Sequence, residues 1–242
     1  MTTEGMTTEG MTRAEGLGPL AITPRPLPAY QDMFALTERD LVAGPILDCP
    51  AGASPFGAQV RALGGVVSSV DPAYRLPPAE LVDRARADVT RVLAWQQANP
   101  IGFDWSYLGS PQLVAERWSR AIEEFASDFA VDGNRYAAAA LPDLPFADGR
   151  FRVAVSGFLL FAYPQLLTFD EHLAALLELV RVTSGEVRVY PLHDTSGLPY
   201  ARMAQLRTAL TGHGINGLLR STGCSYSPRP GSDRMLVLTR SR

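Results

Sequence analysis

The chain predicts an α/β fold, and three observations carry that prediction. An apolar segment, Ile46-Leu47-Asp48, runs into a turn of small residues, Cys49-Pro50-Ala51-Gly52-Ala53-Ser54, and then into a helix-compatible stretch over 56–63. A second apolar segment, Gly64 to Val70, ends in another carboxylate, Asp71. Downstream, strand-like and helix-like patterns alternate, which is the mark of strands joined by crossover helices.

The bulk properties set the frame. At 242 residues the chain is long enough to bury one sizeable core. A formal charge of −3 argues against nucleic acid as a partner, since a basic footprint is lacking. Two cysteines, Cys49 and Cys224, make no disulfide framework and no paired-cysteine metal site. Cys49 reads as a small packing residue rather than a nucleophile. The three histidines, His172, His193 and His213, lack metal-ligand spacing, so no metal is expected. With no apolar run of about 18 residues and no secretory core at the N-terminus, a cytoplasmic protein free of the membrane is expected.

Taken in order, residues 1–18 repeat Met-Thr-Thr-Glu-Gly and read as a disordered tail, with 19–242 as one domain. A helix is expected over 30–41. After Asp71 the chain takes far longer to reach its next strand, near Arg135, than one crossover helix needs. That stretch, about 76–132, reads as a helical insertion. It holds a helix over 78–97 and a second from the Ser110-Pro111 start to about 129. The aromatic-rich connection over 100–109 carries Trp105 and Tyr107, which either line a substrate pocket or pack in the core. A strand is expected over 153–158. Thr168 and Glu171 form a capping box that opens a helix to about 182, with Ser184-Gly185 as its end. A strand over 186–192 follows, then a helix over 198–210 closed by Gly212 and Gly214. The last part, 218–242, reads as a hairpin around 228–233.

The small-residue turn between two strands that end in carboxylates suits an adenosine-type cofactor. Small residues admit the backbone to the ligand, and Asp71 can accept both ribose hydroxyls. Asp71-Pro72 is also a helix start, so a capping role stands beside that one. A dinucleotide site would need Gly-x-Gly-x-x-Gly, and the turn has a single glycine, Gly52. A phosphate-binding P-loop needs a lysine, and all 22 basic residues are arginine. Asp48 would repel pyrophosphate and suits a ligand with an ammonium group.

These residues resemble motif I of the class I S-adenosylmethionine-dependent methyltransferases, Asp/Glu-x-Gly-x-Gly-x-Gly, with Pro50 at the first glycine position and Ser54 as a departure at the third. Asp71 matches the acidic residue after the second strand. Leu141-Pro142-Asp143-Leu144-Pro145-Phe146, leading to Phe151, is similar to that family's approach to its fourth strand. The resemblance spans about residues 28–240. It implies a doubly wound, mostly parallel seven-stranded sheet with a C-terminal antiparallel hairpin. It also implies S-adenosyl-L-methionine as cofactor; the acidic charge balance, the lack of a basic tail and the aromatic-rich insertion point to a small-molecule methyl acceptor. The cofactor residues it implies are Tyr30, Asp48, Cys49, Pro50, Ala51, Gly52, Asp71, Pro72, Leu141, Pro142, Asp143, Ser156, Gly157 and Phe158. Tyr30 and Met33 would lie on a covering N-terminal helix. An acidic residue that the family often places at Ala139 or Ala140 is missing here, which leaves adenine to the backbone near Leu141 and to Asp143.

Methyl transfer needs a nucleophile held in line and, where the nucleophile begins protonated, a base. The Tyr190-Pro191-Leu192-His193-Asp194 run supplies the candidates, with His193 as base, Asp194 to orient it and Tyr190 beside them. His172 is expected to be solvent-exposed and His213 structural, while Arg181 and Arg188 are expected in surface ion pairs. A nicotinamide-dependent oxidoreductase and a non-catalytic binder of cofactor or partner remain as alternatives, and either a monomer or a homodimer is compatible with the sequence.

Overall fold

In the computed structural model, residues 20–131 and 133–241 are described. The proposed tail at 1–18 lies outside them. Helix α1 (Leu27–Phe34) and helix α2 (Glu38–Val42) lead into strand β1 (Ile46–Asp48), helix α3 (Phe56–Ala62) and strand β2 (Val67–Val70). A 3-10 turn (Pro72–Arg75) precedes helix α4 (Pro78–Ala98). Short helix α5 (Trp105–Leu108) and long helix α6 (Pro111–Val131) reach strand β3 (Tyr136–Ala137). Strand β4 (Phe151–Gly157), helix α7 (Phe169–Arg181), strand β5 (Thr183–Tyr190) and helix α8 (Met203–Gly212) follow. Strands β6 (Ile215–Ser221) and β7 (Arg234–Arg240) close the chain.

The seven strands form one sheet in the order β3-β2-β1-β4-β5-β7-β6. The first five positions pair in parallel, while β7 is antiparallel to both β5 and β6. Side chains alternate across it, as a pleat of period two requires. Leu47, Ala154, Val187 and Val189 pack with α7 and α8 on one face. Ile46, Val153 and Val155 pack on the other with Phe34, Leu41 and Val60 of the first three helices. Helices on both faces make the sheet doubly wound, and the strand order with its antiparallel edge pair is the Rossmann-like methyltransferase arrangement that the motifs imply. A third apolar cluster joins α4 and α6 through Leu81, Trp118, Phe125 and Phe129, with Tyr74 stacked on Phe125 and Tyr136 edge-on to both phenylalanines.

The structure departs from the sequence expectations at several points. The helix expected over 30–41 is two helices. Ala35 is left-handed with φ 48, and Thr37 starts again with a capping box to Asp40. Thr37-x-x-Asp40 outweighs continuation because it satisfies orphan N–H groups at the second start. Ser184-Gly185 does not end α7. Both residues belong to β5, where a Cβ at Gly185 would fall 2.3 Å from the Arg152 carbonyl oxygen, so the glycine permits close strand approach. Helix α8 starts at Met203 rather than near 198, because the Asp194 carboxylate accepts N–H groups of Ser196 and Leu198 and turns that segment.

Arg188 is not a surface residue. It is 6% exposed and donates to the Phe34 and Ala35 carbonyls at 3.0 and 3.1 Å, while pairing with Glu186 and Asp40. It therefore fastens the α1–α2 corner to β5. Arg181, by contrast, lies nearer the surface in ion pairs with Glu178 and Asp148. His172 is fully buried, its ring nitrogens meeting the Thr168 and Leu160 carbonyls at 2.7 and 2.8 Å. Helix α7 turns that residue toward the core beside Phe161 and Tyr200, so the expected exposure does not hold. His213 follows the end of α8 as its C-cap.

Arg188→Met, which leaves two carbonyls and Asp40 short of a donor, is expected to cost about 3 kcal/mol in urea unfolding. Burial pushes Asp40 up, but Arg152, Thr37 and Arg188 outweigh it and hold the carboxyl below its ordinary value. A depressed carboxylate stabilises the fold above its unfolded-state pKa and loses that contribution as pH falls through the folded-state value. The melting difference between the native chain and Asp40→Asn should therefore shrink below about pH 4; a difference that grows on acidification would refute this account of the corner.

Candidate functional site

The carboxyl ends of β1, β2 and β4 open onto a cleft of about 1600 Å³, its mouth included. This is where an open α/β sheet binds ligands. Its floor is the turn after β1. Ladder-like bonds from Cys49 N to Val155 O and from Ala51 N to Val70 O seat that turn between the neighbouring strands. Gly52 turns through φ +56, a region costly for residues with a Cβ. Its N–H donates to Asp71 Oδ2 at 2.9 Å, and the Ala73 N–H donates to Oδ1 at 2.9 Å. The Tyr74 hydroxyl donates to the Gly52 carbonyl at 2.8 Å.

Asp71 thus caps the 3-10 turn and also faces the cleft. Burial raises its carboxyl above the ordinary value, and the two backbone N–H groups pull it back only in part. Each oxygen keeps acceptor capacity, since a carboxylate has about four lone-pair sites. A buried acceptor of this kind suits a vicinal diol. Ala139, Ala140 and Leu141 form an apolar shelf on the cleft wall, a fit for a flat base. The residues therefore fit the adenosine portion of the implied cofactor.

Of the residues the motifs nominate for this cofactor, Tyr30, Cys49, Pro50, Ala51, Gly52, Asp71, Pro72, Leu141, Gly157 and Phe158 line the cleft. Four do not. Asp48 is buried beneath Tyr30, whose hydroxyl donates to both carboxylate oxygens at 3.0 and 3.2 Å. Burial raises the Asp48 carboxyl well above its ordinary value, the Tyr30 bond lowers it, and Asp71 raises it further. The Tyr30 ring, stacked on Phe56, therefore presents itself where Asp48 was expected. Pro142 and Asp143 are exposed beyond Leu141, where the Asp143 N–H turns back to the Ala140 carbonyl. Ser156 points into the sheet's interior environment, 1% exposed, with Oγ lacking a partner among the described residues.

The departure at Ser54 has a structural explanation. Its hydroxyl donates to the Arg25 carbonyl at 2.6 Å and accepts from Phe56 N–H at 3.1 Å. It pins residues 20–26, a strap over the turn, and caps α3. Ile22 N–H donates to Asp88 of α4, and Leu27 N–H to Gln59 of α3. At Gly52 a Cβ would meet the Thr23 carbonyl oxygen at 3.1 Å, so glycine is needed under the strap as well as in the turn.

The strap carries Arg25 onto the Phe158 ring, with the guanidinium carbon 3.6 Å from its centroid. Phe158 follows β4 at φ 54, an uncommon conformation for a bulky residue. Arg25 and Phe158 line both the cleft and a second chamber of about 720 Å³. That chamber is bounded by Trp95, Gln96, Phe103, Trp118, Tyr163, His193, Asp194, Thr195 and Tyr226. Trp105 and Tyr107 do not line it. Trp105 packs on Phe103 and donates to the Pro100 carbonyl, and Tyr107 donates to Asp32 at 2.6 Å.

His193 and Asp194 belong to this chamber, but in altered roles. The His193 Nδ1 lies 2.9 Å from the Asp194 backbone oxygen, which only accepts, so Nδ1 carries the hydrogen. The carbonyl orients the ring, while the Asp194 carboxylate is committed to its turn. Burial holds His193 below its ordinary value of 6.5, with the carbonyl and Asp194 opposing less strongly. The neutral ring then leaves Nε2 as a lone pair without a partner among the described residues. Tyr190 lies behind the chamber wall, fully buried, its ring 6.5 Å from that of His193. The strap, Trp95, Gln96 and Trp118 were missed from the sequence, because their positions depend on the packing of α4 and α6.

Among the described residues, no three His, Cys, Asp or Glu side chains gather as a metal site, and no helix is long and apolar enough to cross a membrane.

No protein-family model matches the chain. It is 28% identical over 171 residues to an uncharacterized protein of Methanocaldococcus jannaschii, covering 69% of this chain and 76% of that one. Its structure is similar to that of 1,6-didemethyltoxoflavin-N1-methyltransferase from Burkholderia thailandensis, at 15% identity and a TM-score of 0.43 over 82% of this chain and 72% of the other. A TehB-like SAM-dependent methyltransferase from Corynebacterium glutamicum aligns at 15% identity and a TM-score of 0.43, covering 84% of this chain and 87% of its own.

At neutral pH, ¹⁵N–¹H correlation spectra should show His193 uncharged and protonated on Nδ1, titrating below 6.5. A ring protonated on Nε2 would contradict the assignment.

Proposed function

We propose that this chain is an S-adenosylmethionine-dependent methyltransferase acting on a small molecule. The observation that carries the reading is Asp71, a buried carboxylate clamped to the N–H groups of Gly52 and Ala73 on the wall of the cleft. Asp71 would hold the ribose hydroxyls, Ala139 to Leu141 the adenine, and Gly52 and Tyr30 the remainder of the cofactor. The cofactor supplies a methyl group on a sulfonium centre, whose leaving group is already good.

The chain's own part is to position, to exclude water and to take a proton. The Arg25–Phe158 pair separates the cleft from the chamber while bordering both, so an acceptor in the chamber stands next to the cofactor cleft. The strap, Tyr226 and the aromatic walls border the chamber and narrow its contact with solvent. His193 Nε2 is available to take a hydrogen from an N–H or O–H acceptor, with Nδ1–H held by the Asp194 carbonyl.

A dinucleotide cofactor fits less well. The amide of Phe56 at the start of α3 is taken by Ser54, Pro55 has no N–H, and Ile22 and Thr23 lie over Gly52. Pyrophosphate would need those helix N–H groups free.

Calorimetric titration with S-adenosylhomocysteine tests the cofactor assignment. Asp71→Ala should weaken binding about a hundredfold, the loss of two charge-assisted hydrogen bonds. Native protein that stays folded yet does not bind would sink the proposal, and tight binding of reduced nicotinamide in its place would revive the oxidoreductase alternative. Once an acceptor is found, His193→Ala should leave S-adenosylhomocysteine affinity unchanged and lower kcat about 10²–10⁴-fold. Because the neutral ring is the active form, kcat/KM should fall only as the pH drops below 6.5. An acid limb that keeps its position and slope in His193→Ala would remove His193 from the mechanism.

A further inference from the structure

The chamber beside the cleft states more about its occupant than that it is small. Flat faces dominate its walls. Trp95, Phe103, Trp118, Phe158 and Tyr226 come from four separate parts of the chain and converge there.

Four polar atoms on the same walls are shielded from solvent and have no hydrogen-bond partner among the described residues. They are Gln96 Oε1, His193 Nε2, Thr195 Oγ1 and Arg25 Nε. Gln96 is only 4% exposed. Buried polar groups without partners cost about 1–3 kcal/mol each, so their clustering on one cavity points to a ligand that completes them. Their chemistry has a direction. An amide oxygen only accepts, and His193 Nε2 only accepts because Nδ1 already carries the hydrogen toward the Asp194 carbonyl. The ligand must bring hydrogens to Gln96 and His193, while Arg25 Nε–H and the Thr195 hydroxyl can donate to it.

Arg25 borders the chamber with its guanidinium over Phe158, and no carboxylate among the described residues pairs with it. The Asp194 carboxylate on the same wall takes two backbone N–H groups on Oδ1.

We propose that this chamber binds a flat aromatic or heteroaromatic ring that carries an N–H or phenolic O–H on its edge. The ring lies among the aromatic faces, and its edge hydrogens reach Gln96 Oε1 and His193 Nε2. Gln96 is a binding and specificity residue in this arrangement, and Thr195 can donate to a ring heteroatom. The ring's role as methyl acceptor rests on the function proposed above, whereas its binding does not.

The test uses the full chain with saturating S-adenosylhomocysteine and three probes: 2-naphthol, naphthalene and the saturated alcohol 2-decalol. Affinities are read by calorimetry and by quenching of Trp95 and Trp118 fluorescence. 2-Naphthol should bind about tenfold more tightly than either of the others, one hydrogen bond to a buried acceptor separating it from naphthalene. Gln96→Leu and His193→Phe, each checked for a native melting curve, should both narrow the naphthol-to-naphthalene ratio. Failure of 2-naphthol to bind, equal binding of 2-decalol, or a ratio unmoved by both variants would overturn the proposal. If S-adenosylhomocysteine binds and 2-naphthol does not, the ring assignment falls alone. If 2-naphthol binds with these preferences and S-adenosylhomocysteine does not bind, the methyl-transfer reading falls and the ring assignment stands.

Discussion

The hydrogen bond from Ser54 to the Arg25 carbonyl is the constraint on which the site depends. It fixes the strap at 20–26 across the turn after β1, and three other contacts hold the strap's length: Ile22 to Asp88, Leu27 to Gln59, and Arg25 on Phe158. Without the strap, the cleft over Gly52 and the chamber under Trp118 would be one open trough. With it, two compartments share a wall. The same hydroxyl caps α3, so closure of the site and the start of a helix are coupled through one side chain.

Buried charge is arranged around this frame with each group answered locally. Asp71 is held by two N–H groups and keeps acceptor capacity toward the cleft. Asp48 is answered by Tyr30 and withdrawn from the surface. Arg188 spends its donors on the α1–α2 corner, which carries Tyr30 and Met33 to the cleft wall. The polar atoms without protein partners are not scattered at random on this side of the sheet, because four of them border the aromatic chamber. The cleft answers its buried carboxylates internally, whereas the chamber leaves polar atoms open to an occupant.

The alternation of strands and helices, the turn at Pro50 to Gly52, and Asp71 at the end of β2 were legible because local chemistry fixes them. A small-residue turn and a carboxylate after a strand mean much the same wherever they occur. The same locality explains the capping box at Thr168, which the structure retains. What was not legible depends on distant partners. Nothing near Asp48 announces that Tyr30, eighteen positions earlier, will cover it. Arg188 reads as a surface ion-pair residue until the Phe34 and Ala35 carbonyls arrive from across the chain. Gln96 reads as one polar position on a long helix, and only the packing of α4 against α6 makes it a chamber wall. The second start at Thr37 was readable as Thr-x-x-Asp, but continuous apolar spacing over 30–41 masked it.

The central claim is that the Asp71 cleft holds an adenosine cofactor beside an aromatic chamber. A crystal structure grown with S-adenosylhomocysteine tests it most directly. The account predicts ribose hydroxyls bonded to Asp71, the base on Ala139 to Leu141, and the strap still pinned by Ser54. A ligand elsewhere, or one that displaces Asp71 from Gly52 and Ala73, would contradict it.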